Sequence, residues 1–539
     1  MIFYAAEITA YRPGASALTI AYGWGTAPWG TLAQLPDVVA STGIILASDV
    51  GYRTSPADAD GPVPYPPLVA EAFSIVRAVN LDPTNSAIAA SWGSIQLSNV
   101  DNAFDAIAAS WNNDGRPARV LCGTKTLDAT RGIFLDPAYT TLTPVFAGVS
   151  TPWSLTDTQL QIPLRDATYW LENPVQTTQY LGTGTYEGTA NMAGVLKPKT
   201  RGAAFNVTPV LIDPAHLIYQ YSDAPGTVVD LYEGGAANHT FQGDTTNLYA
   251  GGTSAGNYRT DNSRGLFQLG SSPVAAITAD VTGSFPVAGA ITVAADIAYR
   301  LLLEDIAVPA ANLDAASFAA AAAAYPYAAG VYFGSSDSPT GVQAVDRVLA
   351  GFGAKLYAGR DGKLRVFALR TPGGSPVASY SPSNTISVVP ASLPASLSPP
   401  TYRVRVAYQH NYTVQTSGLI GAATPARIQY VAQSDQYASA ASTDVLSSYA
   451  RPNDLPPVGG SLASQADAQA VANGLIALLG GRLRSYTVTV PVAAGLVREF
   501  GDIVRLTWPM DDLAAGRIGV IVGDNFKSED ATITLTVLT

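Results

Sequence analysis

The sequence predicts a mainly β, multi-domain protein with an α+β insert. Three observations lead there. The chain has 539 residues, and at ~150 residues per domain that length asks for about three or four cores rather than one. Most apolar runs are short, alternate with polar residues and are bounded by Gly, Pro, Asn or Ser, as half-buried strands are. Helical spacing of apolar residues is concentrated in two places, a block over residues 281–372 and a single helix over 464–480.

In chain order, residues 1–30 are aromatic and glycine-rich (Tyr4, Tyr11, Tyr22, Trp24, Trp29), with an alternating strand over 17–22. The prolines at 56, 62, 64, 66 and 67 mark a surface loop. The hexamer Ala-Ile-Ala-Ala-Ser-Trp occurs twice, at 87–92 and 106–111. It is not a structural repeat. The first copy leads into Ile95 and Leu97 and reads as a strand; the second follows Asp101 and Asn102 with Phe104, Ile107 and Ala108 at helical spacing. Strands over 118–121, 133–135, 144–149 and 160–166 complete a β-rich module spanning 1–165. Residues 166–280 are extended and turn-rich, with Pro198, Pro209 and Pro214 among many glycines, a stretch suited to lying across a neighbouring subunit rather than forming a core of its own.

In 281–372, helices are predicted over 294–303, over 315–324 with Asp314 as N-cap, and from Thr340 or Gly341 to Phe352. Asp361-Gly362 between Leu356-Tyr357 and Leu364-Arg365-Val366 signals a hairpin. The last module spans 373–539. Residues 372–400 read as a Pro/Ser-rich linker, 402–414 as a strand, and 433–461 as an irregular connection. Ser464 then caps a helix with Ala472, Leu475, Ile476 and Leu479 in register, stopped by Gly480 and Gly481. Strands follow over 486–490, 503–508, 517–522 and 531–538.

Composition narrows the function. Charged residues are 13% of the chain, about half the ~25% of average soluble proteins, which favours extensive subunit contact because desolvating ions is a main cost of burying surface. A net charge of −11 argues against wrapping nucleic acid, whose affinity comes mostly from Lys and Arg; an acidic wall would suit a channel that DNA merely passes through. Cys122 is the only cysteine, so one chain holds no disulfide, thiolate zinc site or iron–sulfur cluster. The first residues lack a basic n-region and a long apolar core, and no eighteen-residue apolar run occurs, so synthesis and folding in the cytoplasm are expected.

No catalytic, cofactor-binding or metal-binding residue is predicted. Gly252-Thr253-Ser254-Ala255-Gly256 matches a nucleophile elbow, but polar and turn-like flanks replace the strand and helix that motif needs, and only His410 lies downstream as a base. His216, His239 and His410 stand in unrelated surroundings without metal-ligand spacing. Gly351-Phe352-Gly353 ends a helix rather than beginning one, unlike a dinucleotide site. Glu304-Asp305 and Asp511-Asp512 could serve glycoside hydrolysis only if folding set a pair of carboxylates across one bond. Asn206, Asn238 and Asn411 match the glycosylation pattern, but that machinery is not met without export. The 27 tyrosines outnumber the 15 phenylalanines, and Tyr65, Tyr139, Tyr186, Tyr258 and Tyr437 are expected in loops, at subunit interfaces in preference to sugar sites.

One resemblance runs from about residue 88 to the end. "SNVDNAFD" (Ser98 to Asp105), "PVFAGV" (Pro144 to Val149), "LQIPLRD" (Leu160 to Asp166), the turn-rich 181–220 stretch, "EFGDIVRLTWP" (Glu499 to Pro509), "GRIGVIVGDNF" (Gly516 to Phe526) and "ATITLTVL" (Ala531 to Leu538) follow one another in an order that resembles tail-tip or baseplate-hub proteins of long-tailed bacteriophages. The resemblance implies a structural, non-enzymatic homotrimer in the virion, at the distal tail tip. Each subunit would supply two β-barrel-like hub modules joined by the linker region and helical insert. It further implies neighbours among tube ring, tape-measure and tip or central fibre proteins, closure of the tube, and opening for DNA ejection without specific DNA binding. The alternative is a tail-associated glycan-binding or glycan-hydrolysing tip protein.

Overall fold

The computed structural model describes residues 1–12, 18–20, 42–59, 61–70, 74–84, 88–394 and 397–539. Trp24, Trp29 and half of the strand expected over 17–22 lie outside them; Leu18–Ile20 is a strand. The chain is mainly β, in several sheets, with helices confined largely to the middle and the C-terminal part.

Ile2–Tyr11 shows how the first sheet is built. Tyr4, Ala6, Ile8 and Ala10 point into the large core, whereas Phe3 and Ala5 point to a second small core with Tyr52, Val63 and Tyr65, as period 2 requires. This strand is flanked antiparallel by Thr42–Ser48 and Arg116–Thr124. Thr143–Ser150 and Gln159–Arg165 extend the sheet, and Ser94–Ser98 pairs with the latter. The two copies of the hexamer adopt different structures: Ile88–Ser91 is a strand and Asp105–Ser110 a helix. Flanking pattern, not intrinsic propensity, decided each.

The sheet at the other end joins Ala378–Tyr380, Ile503–Leu506, Arg517–Lys527, Thr532–Leu538, Ser485–Pro491 and Ser387–Ala391 in that spatial order. It also takes strands from the other end of the chain. Ser74–Val79 pairs antiparallel with the second half of Arg517–Lys527, and Ile88–Ser91 pairs with Ser74–Val79. The two sheets are therefore interlocked.

Between them, Lys199–Val207, Gly226–Glu233, Ile277–Phe285 and Gly330–Phe333 form one sheet, and a smaller one spans Val210–Asp213 to Leu266–Leu269. Far from lacking a core, this region has its own, with Val207, Tyr221, Phe267, Ala279 and Val281 buried. Lys199–Val207 crosses Gly330–Phe333 at a pair of glycines: a Cβ at Gly202 would sit 2.3 Å from the Ala329 carbonyl, and one at Gly330 would sit 2.2 Å from Ala203 N. The insert follows expectation, with helices Ala294–Arg300, Ala315–Ala324 and Gly341–Ala350 and the hairpin Ala354–Ala358 to Leu364–Ala368. Asp314 accepts from Ser317 N, and Thr340 with Gln343 forms a capping box.

Two expectations for the last part need correction. Residues 433–461 are not irregular: Gln436–Ala441 pairs with Thr401–Tyr408, the helix Thr443–Ser448 follows, and Val458–Leu462 pairs with the same central strand. The linker over 372–400 contains both outer strands of the C-terminal sheet, Ala378–Tyr380 and Ser387–Ala391. The helix Gln465–Leu479, capped by Ser464, buries Ala468, Val471, Ala472, Leu475, Leu478 and Leu479. It packs across Thr401–Tyr408 and Gln436–Ala441. Ala and Ser on Gln436–Ala441 suit this packing, because small side chains let a helix approach closely.

Candidate functional site: charged junctions between segments

In a charge-poor chain, the placement of buried charges is informative. Along Ser74–Val79, Ile75, Arg77 and Val79 are buried while Ser74, Val76 and Ala78 are exposed. Arg77 thus occupies a core position. Its Nη1 lies 3.0 Å from Glu499 Oε2 and donates to the Ala358 carbonyl at 3.2 Å, and its Nε donates to Asp524 Oδ2 at 3.1 Å. The guanidinium lies 4.8 Å from the Phe500 ring centroid and 5.6 Å from that of Trp92, whose Nε1 donates to Asp166. Arg360, equally buried, places Nη2 2.9 Å from Asp524 Oδ2. That contact is a charge pair off the hydrogen-bond line, and Nε and Nη1 of Arg360 have no hydrogen-bond partner.

Burial disfavours both charges, but the outcome differs. Asp524 and Glu499 outweigh burial at Arg77 and hold it above the ordinary arginine range. At Arg360, burial and then the neighbouring Arg77 win over the same carboxylates, lowering it to about 10. Two guanidiniums share one carboxylate. The cluster ties the N-terminal hairpin (Arg77), the insert hairpin (Arg360) and the C-terminal sheet (Asp524, Glu499). A cavity of about 610 Å³ lies beside it, lined by Arg77, Trp92, Asp166, Tyr357 and Phe500.

A second buried cluster joins the middle sheet to the insert. Arg201 lies 3.0 Å from Asp223 Oδ1 and reaches both oxygens of Asp305 at 3.0 and 2.8 Å; Lys199 pairs with the same two acids. A third joins the middle sheet to the C-terminal part. Asn206 donates to Asn411 Oδ1 at 2.8 Å, and Arg427 pairs with Asp280 at 3.2 Å while stacking 3.5 Å from the Tyr232 centroid. In the first sheet, Glu7 accepts from Tyr65, Tyr139 and Arg119. Chemically, these clusters cross-brace segments distant in sequence: removing one partner would strand a buried charge.

None of these clusters was foreseen from sequence. Their signal was present as charge in apolar register, at Ile75-Arg77-Val79 and at Lys199-Arg201-Ala203.

The residues weighed for chemistry do not converge on one site. Ser254 lies in a loop between the strands Thr240–Asp244 and Asn257–Asp261, with its N donating to Gln242; no helix follows it. The three histidines are in separate places, and each meets an acid: His216 with Asp213 at 2.8 Å, His239 with Glu233 at 3.0 Å, His410 with Asp435 at 2.8 Å. At Asp435 burial acts upward, but hydrogen bonds from His410 and Ser434 hold the carboxyl below its usual range. Glu304 accepts from Val287 N and Ala288 N, whereas Asp305 is spent on Lys199 and Arg201, so the two acids serve different partners. Asp512 pairs with Arg484 and Arg517. Gly351 follows the end of the helix Gly341–Ala350. Asn206 is buried. Among the described residues no group of His, Cys, Asp or Glu could hold a metal ion, and no helix is long and apolar enough to cross a membrane. The tyrosines depart from expectation: Tyr65 and Tyr258 are buried, Tyr139 is spent on Glu7, Tyr186 accepts from Leu248 N, and of the five only Tyr437 is exposed.

No family model and no curated protein matches the chain. Among solved structures it is similar to a tail protein from Neisseria meningitidis MC58, at 11% identity and a TM-score of 0.35, covering 89% of this chain and 94% of that one. It is also similar to the 43 kDa tail protein of prophage MuSo2 from Shewanella oneidensis, at 9% identity and TM-score 0.29, with 86% and 98% covered. A third is a chain in the virion of a native gene transfer agent particle, at 14% identity and TM-score 0.34, with 64% and 84% covered. Two of these three structures are of tail proteins.

Proposed function

We propose that this chain is a structural component of a phage or prophage tail, and within the tail a tip or baseplate-hub subunit. One observation carries the reading: the motifs that resemble hub proteins, at both ends of the chain, fall on strands and adjoining turns of the two large sheets, and those sheets are interlocked through Ser74–Val79 and Arg77. In this reading the chain forms a homotrimer that closes the tube, holds the tape-measure and tip or fibre proteins, and opens for DNA ejection. The braced junctions suit a part that bears load. Immunogold labelling of particles from a producing culture tests it: label confined to the distal tail end is expected. Particles without label after mild opening of the tip would overturn it.

A second reading, a glycan-binding or glycan-hydrolysing tip protein, is favoured by a cavity of about 770 Å³ lined by Asp337, Asp346, Asp435 and His410. Several acids in one cleft are what such chemistry requires. Glycan release that disappears in Asp337→Asn or Asp346→Asn would favour it over the purely structural role.

A further inference from the structure

Lys199 opens the strand Lys199–Val207 and stands between two acids. Its Nζ lies 2.5 Å from Asp305 Oδ1 and 3.4 Å from Asp223 Oδ2, and the three side chains are 5%, 3% and 7% exposed. By contrast, the pairs Lys125–Asp136 and Lys197–Glu187 leave their acids 28% and 32% exposed. The pair of Lys199 with Asp305 is out of water on both sides. Asp305 is brought there by a departure from regular helix: after Ala294–Arg300 the chain widens into a π-turn over Leu301–Asp305, with Leu301 and Leu302 buried. Such turns are rare and recur at functional sites.

Arg201 completes the group, and its side chain is fully buried. Nε donates to Asp305 Oδ2 at 3.0 Å, Nη2 to Asp305 Oδ1 at 2.8 Å and Nη1 to Asp223 Oδ1 at 3.0 Å. The guanidinium lies 5.2 Å from the Phe285 ring centroid. Amide formation needs a nucleophile, an electrophile, a proton carrier and a partner for the oxyanion. Here the amine touches one carboxyl, a second carboxylate is within reach of the amine, and a cation holds the first carboxyl's other oxygen.

We propose that Lys199 and Asp305 condense into an intrachain isopeptide bond. One proton passes from Nζ to Asp305 Oδ1 across their contact, which leaves a neutral amine beside a neutral acid. The amine's lone pair attacks Cγ, the C–N bond forms, and negative charge collects on Oδ2 opposite Arg201 Nε. Asp223 takes a second proton from Nζ and passes it to Oδ1, the Cγ–Oδ1 bond breaks, and water leaves. One ammonium and one carboxylate become one amide and one water, with no other reactant. Arg201 and Asp223 remain as a matched pair. In water the two ions win over the amide because both are solvated; burial removes that advantage, since each ion then carries its desolvation cost. Holding the groups in contact also removes the entropy of an encounter.

The intact mass of the unfolded full-length chain tests it. A chain lighter than its sequence mass by one water is expected, and its protease digest should contain a branched peptide joining Lys199 to Asp305. Lys199→Arg keeps the cation and should restore the full mass. In denaturing electrophoresis that variant should run more slowly than the parent, whose 199–305 loop stays closed. Asp223→Asn removes the proton carrier and should slow closure in freshly made chain by ~100-fold or more; closure as fast as in the parent would overturn the role given to Asp223. A parent at its full sequence mass, or one whose lost water maps to other residues, overturns the bond itself.

Discussion

Arg77 decides most at the scale of single residues. It has three acceptors in two distant parts of the chain, and Arg77→Ala would leave Asp524 with only the misaligned Arg360, while Glu499 would keep Arg365 at 3.7 Å and the Arg360 N–H at 3.0 Å. Breaking a buried pair in this way costs about 3–5 kcal/mol, so a loss of that size is expected in chemical denaturation. Lys355 gives a second test. It is buried and donates to the Asp82 carbonyl at 3.1 Å; burial lowers it from 10.5 to about 8, against the opposing charges of Asp346 and Asp82. The folded state therefore binds its proton less tightly than the unfolded one. The cost is fully present below about pH 8, and stability contributed by this group rises as pH goes from about 8 to 10.5. Lys355→Met should stabilise at pH 7 by on the order of 3 kcal/mol, less about 1 kcal/mol for the lost hydrogen bond. The difference from the parent should shrink towards pH 10.5, read from denaturation midpoints across pH.

Individual elements were legible where local chemistry is self-sufficient. Asp314, Thr340 and Ser464 were visible as caps because a side-chain oxygen three residues before a free N–H is a local arrangement. Ser464→Ala should cost about 1 kcal/mol, measured as a shift in thermal unfolding without change in secondary structure at low temperature. Where an element depends on a distant partner, the reading failed. Gln436–Ala441 has the composition of a linker, and becomes a strand because Thr401–Tyr408 and the helix Gln465–Leu479 offer an edge and a surface that fit Ala and Ser. The outer strands Ala378–Tyr380 and Ser387–Ala391 were hidden among Pro and Ser for the same reason.

For the molecule as a whole, one apolar core runs from Tyr4 to Leu538 and includes the insert helices, whereas the small sheet over 210–269 packs into two smaller cores, one with Tyr219, Tyr258 and Phe267 and one with Ile212, Ile218, Leu248 and Leu266. Hydrogen exchange should therefore show Val210–Asp213 and Asn257–Asp261 opening at lower free energy than Arg517–Lys527 and Ile2–Tyr11, which should exchange together in the slowest class. Equal protection throughout would contradict this division. The sequence by itself determined that the chain is mainly β and where the insert helices and the helix Gln465–Leu479 begin, because periodicity, caps and turn residues act over a few positions. Tertiary structure alone decided that Ser74–Val79 and Ile88–Ser91 belong to the C-terminal sheet and that Arg77, Arg201 and Arg427 brace the junctions. Pairing partners and buried counter-charges are chosen across hundreds of residues, by complementary edges and the cost of an unpaired charge, and no local pattern records that choice.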